Sequence, residues 1–361
     1  MKHFIMLLFS LLLAVACREQ EVLAPIVVFE EVDNADKLTQ QIESIQLVPL
    51  ENDGHYFGWS ADLLLLDNGF LVVDKENCQI IRYDSKGRFL NRIGEQGNGP
   101  GEYPDVFNVQ LSADKIVVFS SPGVTRHLFD YAGNYLGKEY VESGGQQFAV
   151  VPEGVLCFNG YGMPEKCKAS LLKRNGETTS FYPYNSEIVA FGDINNVFSF
   201  DRNRVFVRDQ LEPVVYIYQA GNMQPCVRFN FGKFAFEDNF YSMDYMASAT
   251  YLMQKDLCLV SRYMESGDVR LVEVTRPLER RSYYGLSVSG KWEWSYMGIE
   301  EQDAFASSIK VLDGHSLYAL VSPGLVKKIP SDWLNALADS GILDGITEDS
   351  NDVVVRIVLK K

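Results

Sequence analysis

The sequence lacks most of the features that mark common functional classes. Its formal charge is −15 over 361 residues and it has no basic run, so it would repel the phosphates of nucleic acid. It has no CxxC pair and no GxSxG motif, which argues against a structural zinc site and a serine-hydrolase elbow. Residues 4–13 are apolar but too short to cross a bilayer, which takes about 20 residues, and no second segment is long enough.

The first 17 residues have the pattern of an export signal. A short basic start precedes the apolar segment, and residues 14–17, AVAC, resemble the lipobox read by lipoprotein signal peptidase. We therefore predict a signal peptide over residues 1–16, an acylated Cys17 as the only membrane contact, and a lipidated tether and linker over residues 17–43. Because Arg18 is not an acidic retention signal, an outer-membrane position is favoured, facing either the periplasm or the cell exterior. The alternative is a soluble periplasmic protein with an incidental cysteine.

A strand-turn-strand unit recurs along the chain. Its turn glycines, Gly87, Gly133, Gly176 and Gly221, are 46, 43 and 45 residues apart. This period is typical of a four-stranded propeller blade and is too long for a solenoid coil. The repeats predict an all-β, six-bladed β-propeller of antiparallel blades over residues 44–361.

Three parts of the chain depart from this repeat. Residues 44–50 alternate as a strand and are predicted to complete the last blade, since two sheet edges would otherwise face water. Residues 246–254 favour helix by composition, but the repeat context predicts the first strand of blade five there. Residues 330–340 predict a short amphipathic helix inserted in blade six, either as a lid over the channel mouth or as a staple onto blade five.

The segment IRYDSKGRFLNRIGEQGNGPGEYPDV, residues 81–106, resembles the signature of six-bladed β-propeller lipoproteins of Gram-negative bacteria, a family related to NHL-repeat propellers. The resemblance implies this fold and a cell-envelope location, with a function that is largely unknown for the family. Related NHL-type lyases hold a metal with three histidines. Here His55, His127 and His315 fall on three different blades, which argues against a joint site.

Polar residues near the starts of the inner strands are predicted to converge on the channel mouth, where they form the candidate ligand site. Carboxylates and amides there could bind Ca²⁺ or hydrogen-bond a sugar or peptide, and no other cofactor is indicated. The alternative is that they satisfy backbone groups and channel waters. The candidates are Trp59, Asp62, Asp105, Asn108, Gln147, Asn195, Asn196, Asp244 and Asp303.

Five cysteines remain after Cys17. Cys157 and Cys167 flank a predicted turn and could form a disulfide across a hairpin in an oxidising compartment. Alternatively, all five are small apolar packing residues.

No catalytic constellation stands out in the sequence. The leading hypothesis is a monomeric, lipid-anchored binding scaffold in the cell envelope that receives a glycan, peptide or protein at its channel mouth. The alternative is a metal-assisted lyase or hydrolase of the NHL-like type, and a structural assembly component is a third reading.

Overall fold

A computed structural model describes most of the chain after the leader. The described residues are 24–32, 37–52, 54–58, 60–112, 114–120, 125–140, 145–161, 164–184, 196–297, 308–329 and 331–361. Cys17, Trp59, Asn195 and Asp303 lie outside these ranges. Within them, none of the helices is long and apolar enough to cross a membrane.

Six sheets form the blades. Apart from the two N-terminal strands, which join the outer edges of blades four and six, the inner strand is the first of its blade in chain order. Two strands precede blade one, β1 (Ile26–Val28) and β2 (Ile42–Pro49). Blade one contains β3 (Asp62–Leu66), β4 (Gly69–Asp74), β5 (Gln79–Asp84) and β6 (Phe89–Arg92), and a short parallel ribbon follows of β7 (Glu95–Gln96) and β8 (Glu102–Tyr103). Blade two contains β9 (Asn108–Ser112), β10 (Lys115–Ser120), β11 (Thr125–Phe129) and β12 (Tyr135–Tyr140), and blade three contains β13 (Gln147–Val151), β14 (Gly154–Phe158), β15 (Cys167–Lys173) and β16 (Thr178–Pro183).

The second half of the ring repeats this plan. Blade four contains β17 (Phe198–Asp201), β18 (Arg204–Arg208), β19 (Val214–Gln219) and β20 (Asn222–Asn230), and blade five contains β21 (Leu259–Ser266), β22 (Val269–Arg276), β23 (Arg281–Val288) and β24 (Lys291–Met297). Blade six contains β25 (Ile309–Asp313), β26 (Ser316–Val321), β27 (Val353–Leu359) and β2. The helices are α1 (Lys37–Gln41), α2 (Tyr245–Gln254), α3 (Pro323–Val326) and α4 (Ser331–Leu334), with 3-10 turns at Gly232–Phe234, Asp238–Ser242 and Ser340–Gly345.

The predicted glycine turns connect the outer strands. In blade one, Asp84 accepts hydrogen bonds from the backbone N–H groups of Lys86 and Arg88, at 2.8 and 3.0 Å, which folds the chain back on itself. Gly87 has φ +78°, and a Cβ at this position would collide with the carbonyl oxygen of Pro49. A side chain is therefore excluded both by backbone conformation and by the close approach of β2.

The six-bladed fold and its closure are confirmed. Strand β2 is the outer strand of blade six and pairs antiparallel with β27, from Ile42 opposite Leu359 to Pro49 opposite Val353. The ends of the chain thus share one sheet, and Ile45 and Ile357 are fully buried between blades. This pairing covers an edge of β27 that would otherwise present unpaired backbone groups.

Blade five differs from the sequence-based assignment. The segment predicted as its first strand is helix α2, and Asp244 caps this helix by accepting a hydrogen bond from the Ala247 N–H at 2.8 Å. The blade begins instead at Leu259, and Lys291–Met297 is its fourth strand. Local helix propensity was the better guide here, because the repeat is interrupted by an insertion before the blade.

The blade-six insertion also differs from its prediction. The amphipathic helix predicted over residues 330–340 is only the single turn α4, after which Leu337 forms a parallel bridge with Ile45 of β2. The Ile45 N–H donates to the Ala336 carbonyl at 2.7 Å, and Trp333 is buried in the core shared by blades five and six. The insertion therefore staples the outer edge of blade six and is not a lid over the channel.

The N-terminal linker contains a docked segment. Strand β1 pairs in parallel with β20 as a fifth strand of blade four, and Phe29 then enters an aromatic cluster with ring centroids 5.0 Å from Trp294 and 5.1 Å from Tyr283. Glu31 forms an ion pair with Arg276, a side chain only 2% exposed. Residues 24–32 are thus part of the packed fold rather than a tether.

The suggested disulfide is absent, because Cys157 and Cys167 are not linked. The register places Cys157 opposite Ser170, three residues beyond Cys167. The two cysteines are therefore not directly opposed across the strands, as a disulfide across this hairpin requires. Both side chains are buried, as expected of the alternative reading in which they pack as small apolar residues.

Candidate functional site

A cavity of about 2470 Å³ includes the axial channel of the ring and extends between the blades to outer strands, where it reaches Gln46 of β2 and Tyr140 of β12. Residues of all six inner strands line it, since the inner strands approach one another around the axis. These strands all begin on one face of the ring, which we call the mouth face. Deeper in the channel the wall becomes apolar, with leucine and valine side chains and a Phe200 ring that is 44% exposed.

Four of the predicted candidates meet in this cavity. They come from the first four blades, close to the start of each inner strand, and they are Asp62, Asn108, Gln147 and Asn196.

The other two described candidates lie elsewhere. Asp105 is outside the cavity lining and near His127, where its charge opposes the lowering of the pKa of that imidazole by burial. Asp244 is exposed at the start of α2, where it caps the helix. The sequence rule placed Asp244 at the mouth because it took residues 246–254 to be an inner strand.

Hydrogen bonds between blades fix the backbone around the mouth. The Arg208 guanidinium, 1% exposed, donates from Nε to the Asn196 carbonyl at 3.2 Å and from Nη1 to the Val260 carbonyl of blade five at 2.9 Å. Gln110 bridges blades two and three through both its amide atoms, accepting from the Val150 N–H at 2.6 Å and donating to its carbonyl at 2.9 Å. These contacts hold neighbouring inner strands in register, so the mouth is preorganised.

Sequence reasoning missed a charged group on the side of blades five, six and one. Lys310, the second residue of β25, lines the cavity together with Arg262 of β21 and Lys75, which follows β4. Arg262 donates a hydrogen bond to the Ile309 carbonyl and lies 3.8 Å from Glu273. In the sequence, these three residues look like ordinary surface charges, two in strands and one in a loop. Only closure of the ring brings them together.

The environment of Lys310 disfavours its charged form. Burial lowers the pKa of the ammonium, Arg262 and Lys75 lower it further, and Asp62 opposes them. Among the described residues, none forms a hydrogen bond or ion pair with the Lys310 side chain. A partly desolvated cation that lacks a bonded partner is energetically unfavourable until an anion binds beside it.

Two carboxyl groups lie behind this cation. Burial and the charge of Asp74 raise the pKa of Asp352 to about 6, while Lys310 opposes the shift. Asp74 is fully buried but well satisfied, since it accepts from the Gly58 N–H at 2.8 Å and from Asn77 Nδ2 at 2.7 Å. Asp74 therefore holds the loop before blade one, whereas Asp352 is the carboxyl that can change protonation near neutral pH.

The cavity wall and the whole chain differ in sign of charge. Nine Lys or Arg and six Asp or Glu residues lie among the described residues of the wall, giving three net positive charges, whereas the whole chain carries −15. A concave wall whose net charge is opposite to that of the rest of the protein attracts ions of the outer sign into the cleft. The cavity is thus suited to anions, although the protein as a whole is acidic.

Other polar groups have structural explanations. Lys168 is buried between blades three and four, where its ammonium forms ion pairs with Glu212 and, at 3.7 Å, with Asp209, and lies 5.3 Å from the centre of the Tyr161 ring. His315 Nε2 is 3.1 Å from Asp268, which joins blades five and six. Within the described part of the chain, no three His, Cys, Asp or Glu side chains are grouped as metal ligands.

Comparison with known proteins identifies the family. The profile described as "Domain of unknown function (DUF4934)" matches residues 25–357, so the chain belongs to this family. A search of curated proteins returned no match.

Solved structures agree on the fold. A Bacteroides fragilis protein named for its inferred export aligns with a TM-score of 0.73 at 15% identity, covering 93% of this chain and all of that one. A DUF4221 member from Bacteroides vulgatus aligns with a TM-score of 0.55 at 12% identity, covering 88% and 97%. Streptogramin B lyase reaches a TM-score of only 0.40 at 9% identity over 76% and 79%, which carries no argument about activity.

Proposed function

We propose that this DUF4934 protein is a cell-envelope binding module that receives a ligand at the mouth face of its propeller. The observation that carries the proposal is the axial cavity, with a polar residue near the start of each of the first four inner strands. Concave sites with a few converging polar groups on a rigid scaffold are the usual places for ligands. The similarity to a Bacteroides protein inferred to be exported supports a location outside the cytoplasm.

Attachment to the membrane through an acylated Cys17 is the second part of the proposal. It is motivated by the AVAC sequence, and eight residues separate Cys17 from Ile26, where the docked strand β1 begins. Because β1 is docked on blade four, this short segment would hold the propeller close to the membrane. Cys17→Ala should move the protein from the membrane fraction to the soluble fraction, and retention after a carbonate wash would contradict the anchor.

Ligand binding at the mouth is tested with a double variant, Asn108→Ala with Gln147→Ala. A panel of neutral oligosaccharides, acidic oligosaccharides and short peptides is screened by calorimetry against the wild-type protein. Any ligand that binds at the mouth should lose about tenfold or more in affinity in the double variant, because two hydrogen-bonding amides are lost.

The matched control is Asn222→Ala, an exposed residue at the start of β20 on the opposite face. It should leave both affinity and melting temperature unchanged. Equal affinity in the wild type and the double variant, with both proteins folded, would place the ligand elsewhere and refute the mouth as the binding site.

A further inference from the structure

The polar wall of the mouth is divided into two unlike halves. On the side of blades two, three and four, the cavity-lining candidates are the uncharged amides Asn108, Gln147 and Asn196. On the side of blades five, six and one, the cavity is lined by the cations Arg262, Lys310 and Lys75, together with the candidate Asp62. A ligand with the same chemical groups on both sides would not match these two halves.

The cationic half has unused bonding capacity. Within the described chain, the side chains of Lys310 and Lys75 form neither a hydrogen bond nor an ion pair. The buried Nε of Arg262 has no hydrogen-bond partner, and its ion pair with Glu273 is long, at 3.8 Å. Arg262 is held in place by its bond to the Ile309 carbonyl, next to Lys310, so the two cations are fixed on adjacent inner strands. Preorganised cations in a partly desolvated cleft form strong, charge-assisted hydrogen bonds with a carboxylate or sulfate.

The amide half has a different chemical preference. An Asn or Gln side chain offers both a donor and an acceptor, which matches a hydroxyl group that also donates and accepts. Three such amides around one half of the mouth suit a hydroxyl-rich molecule. The apolar wall begins only deeper in the channel, so the mouth itself offers little surface for the apolar side chains of a peptide.

Building on the function proposed above, we infer that the ligand is an acidic carbohydrate. Its carboxylate or sulfate lies against Lys310, Arg262 and Lys75, and its hydroxyl groups contact the amides across the mouth. The net positive wall would draw such a ligand into the cavity, while the acidic remainder of the protein would repel it from other surfaces.

The test compares four probes of similar length with the wild-type protein. They are an oligogalacturonate, a sulfated galacto-oligosaccharide, the uncharged galacto-oligosaccharide and an oligoglutamate peptide. We expect one or both acidic sugars to bind at least tenfold more tightly than the uncharged sugar, with an affinity that falls as salt is raised. Preference between carboxylate and sulfate identifies the anionic group.

Lys310→Gln and Lys75→Gln should each weaken binding of the acidic sugar by about tenfold without lowering the melting temperature, since neither side chain has a bonded partner to lose. Lys115→Gln is the matched control, because Lys115 lines the same cavity at its far end, at the start of β10, and should leave the affinity unchanged.

Three outcomes would overturn the inference: equal affinity for charged and uncharged sugars, unchanged affinity in Lys310→Gln, or oligoglutamate binding as tightly as the sugars. Each still leaves a ligand at the mouth. The proposed function itself would fail on a different result, namely a ligand that binds the Asn108 and Gln147 double variant as tightly as it binds the wild type.

Discussion

Replacing Asp352 with asparagine should stabilise the protein at neutral pH. Burial and Asp74 raise the pKa of Asp352 from 3.8 to about 6, so the folded protein holds this carboxylate charged against an unfavourable environment. A shift of about two units corresponds to at most about 3 kcal/mol. Residual contact with water reduces this, and we expect Asp352→Asn to raise the free energy of unfolding by about 1–2 kcal/mol. Among the described residues, the carboxylate has no hydrogen-bond donor to lose.

The difference in stability between the wild type and Asp352→Asn should depend on pH. Because the folded-state pKa lies above that of the unfolded chain, the folded protein takes up a proton first as the pH falls from about 6 to about 4. The wild type therefore gains stability over this interval relative to the variant, whose amide does not titrate. Urea unfolding should show the full difference at about pH 8 and only a small part of it at about pH 4, close to the pKa of the unfolded carboxyl.

The control for this experiment is Asp349→Asn. Asp349 is exposed and lies three residues from Asp352 in the same loop, so its substitution should change the unfolding free energy little at either pH. Wild type and Asp352→Asn of equal stability at about pH 8, or a difference as large at about pH 4 as at about pH 8, would refute the electrostatic reasoning.

Two further predictions concern the peripheral segments. Phe29→Ala should lower the unfolding free energy by about 2–4 kcal/mol because it empties an aromatic cluster, whereas Ile26→Ala on the same segment, at a side chain 65% exposed, should change it by less than about 0.5 kcal/mol. Trp333→Ala should lower the unfolding free energy by about 3 kcal/mol and leave ligand affinity intact. Its control is Leu334→Ala, at a side chain 41% exposed, which should change the unfolding free energy little. Thermal and urea unfolding measure both pairs, and equal effects within either pair would contradict the docking described here.

The architecture was predictable because a propeller blade is a local unit. Turn glycines at a regular spacing, alternating strands and an unpaired first strand are each visible over a few tens of residues, and together they indicate the ring and its closure. Blade five was misassigned because the same rule was extended over an insertion. There the sequence carried a correct local signal, a helix with Asp244 as its cap, and the repeat argument overrode it.

The site was only partly predictable. Starts of inner strands can be located from sequence, and four of the described candidates, among them Asn108 and Gln147, do line the cavity. Lys310, Arg262 and Asp352 could not be found in this way, because their significance depends on burial and on charges contributed by three separate blades. A lone lysine in a strand usually indicates a solvent-facing position, and only the closed ring shows that this one faces the axis.

Three peripheral segments of the described chain lie away from the cavity. Strand β1 extends blade four at its outer edge, and the segment around Leu337 extends blade six at its outer edge. Helix α2 packs against loop residues of blades three and four, among them Tyr161 and Leu211. None of these three contributes a residue to the cavity lining described here. Their apolar burial stabilises a closed ring, which in turn fixes the spacing of the inner strands and hence of the cations and amides at the mouth. Substitutions in the outer segments should therefore change stability without changing ligand preference, and substitutions at Lys310 should do the reverse.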